Sequence, residues 1–189
     1  NQVDILLEMG RLYSAMGLDE KAEEIFSMIR KQNVQDGEVF LEIARLYKTR
    51  NLLGSASEDL ERARKISPHN PDIIMTLCEF LEARNDMAKA LAEYASFLQG
   101  MPGAIWALQG VIRTARHLGF HKRVANAQKT FIKAGNESPD AWCDLGETLI
   151  RLGHFDEAGQ AFDQAARLDP TCVRAYQAPE LIKIEKARA

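Results

Sequence analysis

Large apolar side chains recur three or four positions apart along this chain, as in Ile25, Phe26 and Ile29. That is the spacing of one face of an α-helix. The pattern itself repeats every 34 residues: Ala22, Ala56, Ala90, Val124 and Ala158 form a column of small side chains. Phe26, Leu60, Tyr94, Gln128 and Phe162 form a mostly large one, and Gly17, Asn51, Asn85, Gly119 and Gly153 a column of glycine or asparagine. Pro68, Pro102 and Pro170 fall into register as well. No gap is needed from Val3 to Cys172, and five units result: 3–36, 37–70, 71–104, 105–138 and 139–172.

Each column has a physical reason. A helix ends cheaply when the next residue takes the left-handed conformation, which glycine and asparagine adopt most readily. The glycine/asparagine column therefore predicts a turn between two helices in every unit. A small side chain in the second helix lets that helix approach its neighbours, and proline closes it. Asp36, Asn70-Pro71 and Ser138-Pro139 stand where first helices should start, as N-caps with proline behind two of them.

The pattern resembles the tetratricopeptide repeat family over about nine tenths of the chain. The fifth unit carries the resemblance best, through Trp142, Leu145, Gly146, Gly153, Phe155, Ala158, Phe162, Ala165 and Pro170. The first follows through Gly10, Tyr13, Gly17, Ala22 and Phe26. The fourth departs, with Ile112 where a small residue is usual, Val124 for Ala, Gln128 for an aromatic and Asn136 for Pro. The resemblance implies an all-α fold: a right-handed α-solenoid of five 34-residue helix-turn-helix repeats, together one domain. Residues 173–189 would form a C-terminal capping helix whose polar later part covers the last apolar face. Pro179 is expected to kink that helix or to mark its start.

Composition supports this reading. Aromatics are only 7% of a chain that is 46% hydrophobic, and the abundant Ala, Leu, Glu, Lys and Arg favour helices. No apolar run approaches the roughly 20 residues of a membrane span. The first residue is Asn, not Met, which reads as a piece of a longer chain. Cys78, Cys143 and Cys172 are odd in number and widely spaced, without a CxxC pair, so they read as small buried residues of a reducing compartment. Those cysteines and the lack of a signal pattern point to the cytoplasm; the periplasm is the alternative if the chain belongs to an export protein.

The resemblance implies that first helices line a concave groove, presenting the second, fifth, sixth, ninth, twelfth and thirteenth positions of each unit. Asp4, Glu8, Glu38, Glu42, Asp72, Asp140 and Asp144 would give one acidic rim; Arg11, Arg45, Lys48, Arg113, Arg116 and Arg151 a basic one. The helix dipole predicts the same order of charges, and a groove that orients a peptide by charge is the alternative. Leu7, Leu41 and Met75 read either as an apolar groove floor or as packing between units. The sixth positions are Glu8, Glu42, Thr76, Gly110 and Asp144. That set lacks asparagine and would repel a carboxylate, which argues against the family's clamp for a peptide C-terminus.

The fourth unit concentrates the surface chemistry. Between Ile105 and Asn136 there is no acid, and Arg113, Arg116, Lys122, Arg123, Lys129 and Lys133 give +6; the fifth unit sums to −5. Trp106 takes the groove position where other units place Asp or Glu, so it is either a hot spot or a filler of altered packing. The basic residues divide between the two helices, so no continuous stripe for nucleic acid is expected. Charge against the acidic fifth unit suggests self-association instead. His117 and His121 flank a turn among cations and are not expected to hold metal; no nucleophile–base pair or phosphate loop is visible, and no cofactor is implied. The chain is therefore expected to be a non-catalytic scaffold or adaptor that binds a protein or peptide through Trp106, Gln109, Arg113, Arg116, His117, Arg45, Lys48, Leu41 and Met75. The alternative is a structural module of a larger enzyme or of a secretion or polysaccharide-export assembly.

Overall fold

The computed structural model describes residues 2–49 and 53–188, without the side chains of residues 53–55. Eleven helices run through the described residues: α1 Gln2–Ala15, α2 Asp19–Lys31, α3 Gly37–Thr49, α4 Leu53–Ile66, α5 Pro71–Ala83, α6 Met87–Gly100, α7 Ile105–His117, α8 His121–Lys133, α9 Pro139–Arg151, α10 Phe155–Leu168 and α11 Val173–Arg188. From α3 onward the odd-numbered helices begin at Gly37, Pro71, Ile105, Pro139 and Val173, 34 residues apart. Two compact units form, Asn1–Arg84 and Asn85–Ala189, and the division falls in the turn between α5 and α6.

The turns form as the glycine/asparagine column requires. Gly17, Gly119 and Gly153 have φ of +73°, +73° and +74°, and Asn85 has φ of +62°. After α1, the amide of Leu18 donates to the Tyr13 carbonyl and that of Gly17 to the Ser14 carbonyl. The same pair of bonds follows α7, from Phe120 and Gly119, and α9, from His154 and Gly153. These bonds satisfy the last carbonyls of each helix. Asn51, the fifth member of the column, lies outside the described residues. Helix starts also follow the sequence. Asn70 accepts from the amides of Asp72 and Ile73, Ser138 from Ala141, and Asp36 from Glu38.

In the first unit α1 packs on α2, α3 on α4, and α4 on α5, while α3 also touches α1 and α5. Ala22, Ala56, Phe26 and Leu60 are all buried. A Cβ on Gly10 would collide with the Phe26 ring, so glycine is what lets α1 and α2 close. Asp59 is fully buried, and Arg30 meets it with two bonds, at 2.9 and 2.7 Å. Arg30 also reaches Glu23 and the Tyr47 hydroxyl, and that hydroxyl donates to Glu23. Burial raises the Asp59 carboxyl above the usual range even against the Arg30 hydrogen bonds, while those bonds raise the guanidinium. Glu23, in the second turn of α2, joins this network across α2, α3 and α4, because Arg30 lies two turns further along its own helix.

In the second unit α6 packs on α7, α7 on α8, α8 on α9, α9 on α10, and α10 on α11. Gly146 and Phe162 repeat the close approach: an added Cβ would lie 2.6 Å from the ring. The fourth sequence unit solves the same packing problem differently. Its glycine moves from the position held by Ile112 to Gly110, where a Cβ would collide with Tyr94 of α6. The large residue thus sits on α7 as Ile112, and α8 carries Gln128 in the aromatic column, 4% exposed. Among the described residues neither polar atom of the Gln128 amide has a hydrogen-bond partner. Where α4, α6 and α10 end two residues before Pro68, Pro102 and Pro170, α8 ends on Gly135 at φ +93°, with the Asn136 amide donating to the Phe131 carbonyl.

Helix α11 buries Ala175 and Ala178 and packs Ile182 against the core of α9 and α10. Pro179 does not mark its start. The helix begins six residues earlier, because the Cys172 carbonyl accepts from the Ala175 and Tyr176 amides. It runs through the proline, which has no N–H to give the carbonyl four residues back.

Candidate functional site

Trp106, Gln109, Arg113 and Arg116 lie on α7 at spacings of three and four, which places them on one face, and His117 follows Arg116 directly. That face rests on aromatic residues of α6. The Trp106 ring is half-buried, tilted 45° against Phe97 at 4.8 Å and nearly edge-on to Tyr94 at 6.1 Å. Tyr94 can lie there because Gly110 leaves its ring room, and its hydroxyl accepts from Arg113 at 3.3 Å. Gln109, Arg113, Arg116 and His117 are exposed. Packing and exposure therefore divide the predicted set: Trp106 is a wedge between α6 and α7 with part of its ring open, and the four polar residues stand around it.

In the first unit the structure brings fewer of the expected residues together. Leu41 is fully buried, so it belongs to the core and not to an open groove floor. The close packing of α3 on α1, α4 and α5 takes that position away from solvent. Met75 is half-buried; Arg45 and Lys48 are exposed on α3.

The charged rims prove to pair with each other between successive first helices. Arg11 meets Glu42 at 2.8 Å, Lys48 meets Glu79 at 2.6 Å, and Arg116 stands 3.8 Å from Asp144. The base near the end of one helix faces an acid of the next, so the dipole order of charges also builds a ladder. On the second helices, Lys129 meets Glu157 at 2.7 Å and holds that carboxyl below its usual range. Part of the contrast between the basic and acidic stretches is thus neutralised inside the unit.

A further charge cluster, around Arg174, was missed by the sequence reading. Arg174 of α11 reaches Asp144 at 2.6 Å, Glu147 at 2.7 Å and Asp140 at 3.2 Å, all on α9. The hydrogen bonds that Arg174 donates to Asp144 and then to Glu147 raise its guanidinium. The signal was available in register: Arg174 takes the second position of a sixth repeat, where four units carry an acid and one Trp106. Cys143 and Cys172 were also missed as a pair. Their sulfur atoms lie 3.7 Å apart, and burial together with Cys172 holds the Cys143 thiol above the usual range. Among the described residues no helix is long and apolar enough to cross a membrane, and no three His, Cys, Asp or Glu side chains gather as a metal site.

Residues 139–172 match the family model described as Tetratricopeptide repeat. No curated protein matches the sequence. Among solved structures the chain is similar to a tetratricopeptide repeat protein from Parabacteroides merdae ATCC 43184, with 23% identity and a TM-score of 0.65 over 82% of this chain. The chain spans 62% of that protein's length. It is similar to MamA, at 18% identity and a TM-score of 0.64, covering 80% of this chain and 82% of the other. A third likeness is to YrrB, described as a TPR protein with an unusual peptide-binding site: 15% identity, a TM-score of 0.64, and 93% and 90% of the two chains covered. At such identities the likeness is one of fold.

Proposed function

We propose that this chain, which has the tetratricopeptide-repeat fold and carries such a repeat at residues 139–172, is an interaction scaffold that engages a protein or peptide through the exposed faces of its first helices. The α7 face is the main contact. The observation that carries this reading is the group of Gln109, Arg113, Arg116 and His117, all exposed around the open part of Trp106. An aromatic wedge ringed by guanidinium groups is the composition of an interface hot spot. The cations select a segment carrying carboxylates, and Trp106 takes an apolar side chain of that segment. In the first unit Arg45 and Lys48 on α3 make a second, smaller cationic face. The scaffold reading assigns no chemistry of its own to the chain.

The test avoids the packing around Trp106. Gln109→Glu combined with His117→Glu adds two negative charges at exposed positions of the α7 face and offsets those of Arg113 and Arg116. Binding of acidic peptides from an immobilised array should fall at least about tenfold, which corresponds to about 1.4 kcal/mol, with the far-ultraviolet dichroism unchanged. Equal binding by the variant and the original chain would remove α7 as the contact.

A further inference from the structure

Cys143 is fully buried on α9, and Cys172 is partly exposed in the turn that opens α11. Both thiols are free, and their sulfur atoms touch at 3.7 Å across 29 positions of sequence. The turn is held from both sides. Asp169 accepts from the amide and the hydroxyl of Thr171, the Cys172 amide donates to the Asp169 carbonyl, and the Cys172 carbonyl starts α11. Ala175, Ala178 and Ile182 then pack α11 against the core to which Cys143 belongs. The contact between the sulfurs is therefore a product of the fold and not of two mobile side chains.

We propose that Cys143 and Cys172 form a reversible intramolecular disulfide, a redox modification site that fastens the start of α11 to α9. The oxidant is a peroxide. Solvent reaches Cys172, so its thiolate attacks one peroxide oxygen; the O–O bond breaks, a sulfenic acid forms, and hydroxide leaves and takes up a proton as water. The Cys143 sulfur then attacks the Cys172 sulfur. The S–S bond forms as the S–O bond breaks, and the departing hydroxide takes the Cys143 proton as a second water. Two thiols give up two electrons and hydrogen peroxide accepts them. A dithiol reductant reverses the step by thiol–disulfide exchange. The bond lies two residues before Arg174, so oxidation fixes the guanidinium over Asp140, Asp144 and Glu147, and reduction leaves it held by charge alone.

The experiment treats the reduced, full chain with hydrogen peroxide and counts free thiols. The expected result is a fall from three thiols to one, a mass lower by about 2 Da as two hydrogens leave, and a tryptic peptide joining Cys143 to Cys172. Dithiothreitol should restore all three. Cys78→Ser should behave like the original chain apart from its missing thiol, whereas Cys143→Ala should lose the bridge and accumulate the sulfinic acid at Cys172. Hydrogen exchange at the first amides of α11 should slow at least several-fold on oxidation. Three surviving thiols, a bridge through Cys78, a covalent dimer, or sulfinic acid at Cys172 in the original chain would overturn the proposal. Unchanged exchange in α11 would overturn the fastening.

Discussion

Gln128 shows what a single departure from the repeat does. Its column holds Phe26, Leu60, Tyr94 and Phe162 elsewhere, all buried. Gln128 is equally buried, and its amide has no partner among the described residues. An unpaired buried amide costs about 1–3 kcal/mol, and an apolar side chain of similar size removes that cost. Gln128→Leu should therefore raise stability by about 1 kcal/mol in urea denaturation, with an unchanged slope; a loss of stability would mean the amide is satisfied. The sequence exposed this position as irregular but not how the irregularity was absorbed. That Gly110 on α7 gives room to Tyr94 of α6, and that Gln128 on α8 is buried, only the packed structure shows.

At the scale of the helix and its turn, the sequence was most informative. A left-handed residue is a local demand, so Gly17, Asn85, Gly119 and Gly153 announce their turns without knowledge of any neighbour. Two glycines of the fifth repeat separate the two reasons for the residue. At Gly153, φ is +74° and an added Cβ would meet nothing within 4 Å, so Gly153→Ala should cost only the conformational penalty, about 1 kcal/mol, and Gly153→Asn less. At Gly146, a Cβ would lie 2.6 Å from the Phe162 ring, so Gly146→Ala must displace a buried aromatic and should cost more. Thermal denaturation should find Gly153→Asn the mildest, Gly153→Ala next and Gly146→Ala the most costly; equal costs would refute the distinction. Helix α11 was legible as a polar cap from residue 173 onward, and the alternative start at Pro179 is not the one taken. Its first turn is set by Asp169, Thr171 and Cys172 before the proline has any effect.

At the scale of the molecule, the groove charges were read as a pattern along one chain, while their partners lie about 30 residues away. Arg11 with Glu42, Lys48 with Glu79 and Arg174 with Asp144 depend on how consecutive first helices meet, which periodicity alone does not contain. Surface pairs of this kind are each worth little in stability. Their consequence for binding is larger. Arg174 is in effect a ligand on a leash: an arginine delivered to the carboxylates of α9 by its own backbone, at an effective concentration in the millimolar range for a short tether. Any basic segment aimed at Asp140, Asp144 and Glu147 must outcompete that internal occupant before it makes a contact. Arg174→Ala lifts the competition, and a labelled arginine-rich peptide should then bind several-fold more tightly in a fluorescence anisotropy titration; an unchanged affinity would mean those carboxylates are closed to outside cations. The last helix thus sets a threshold, admitting to this face only partners that bring more than one positive charge.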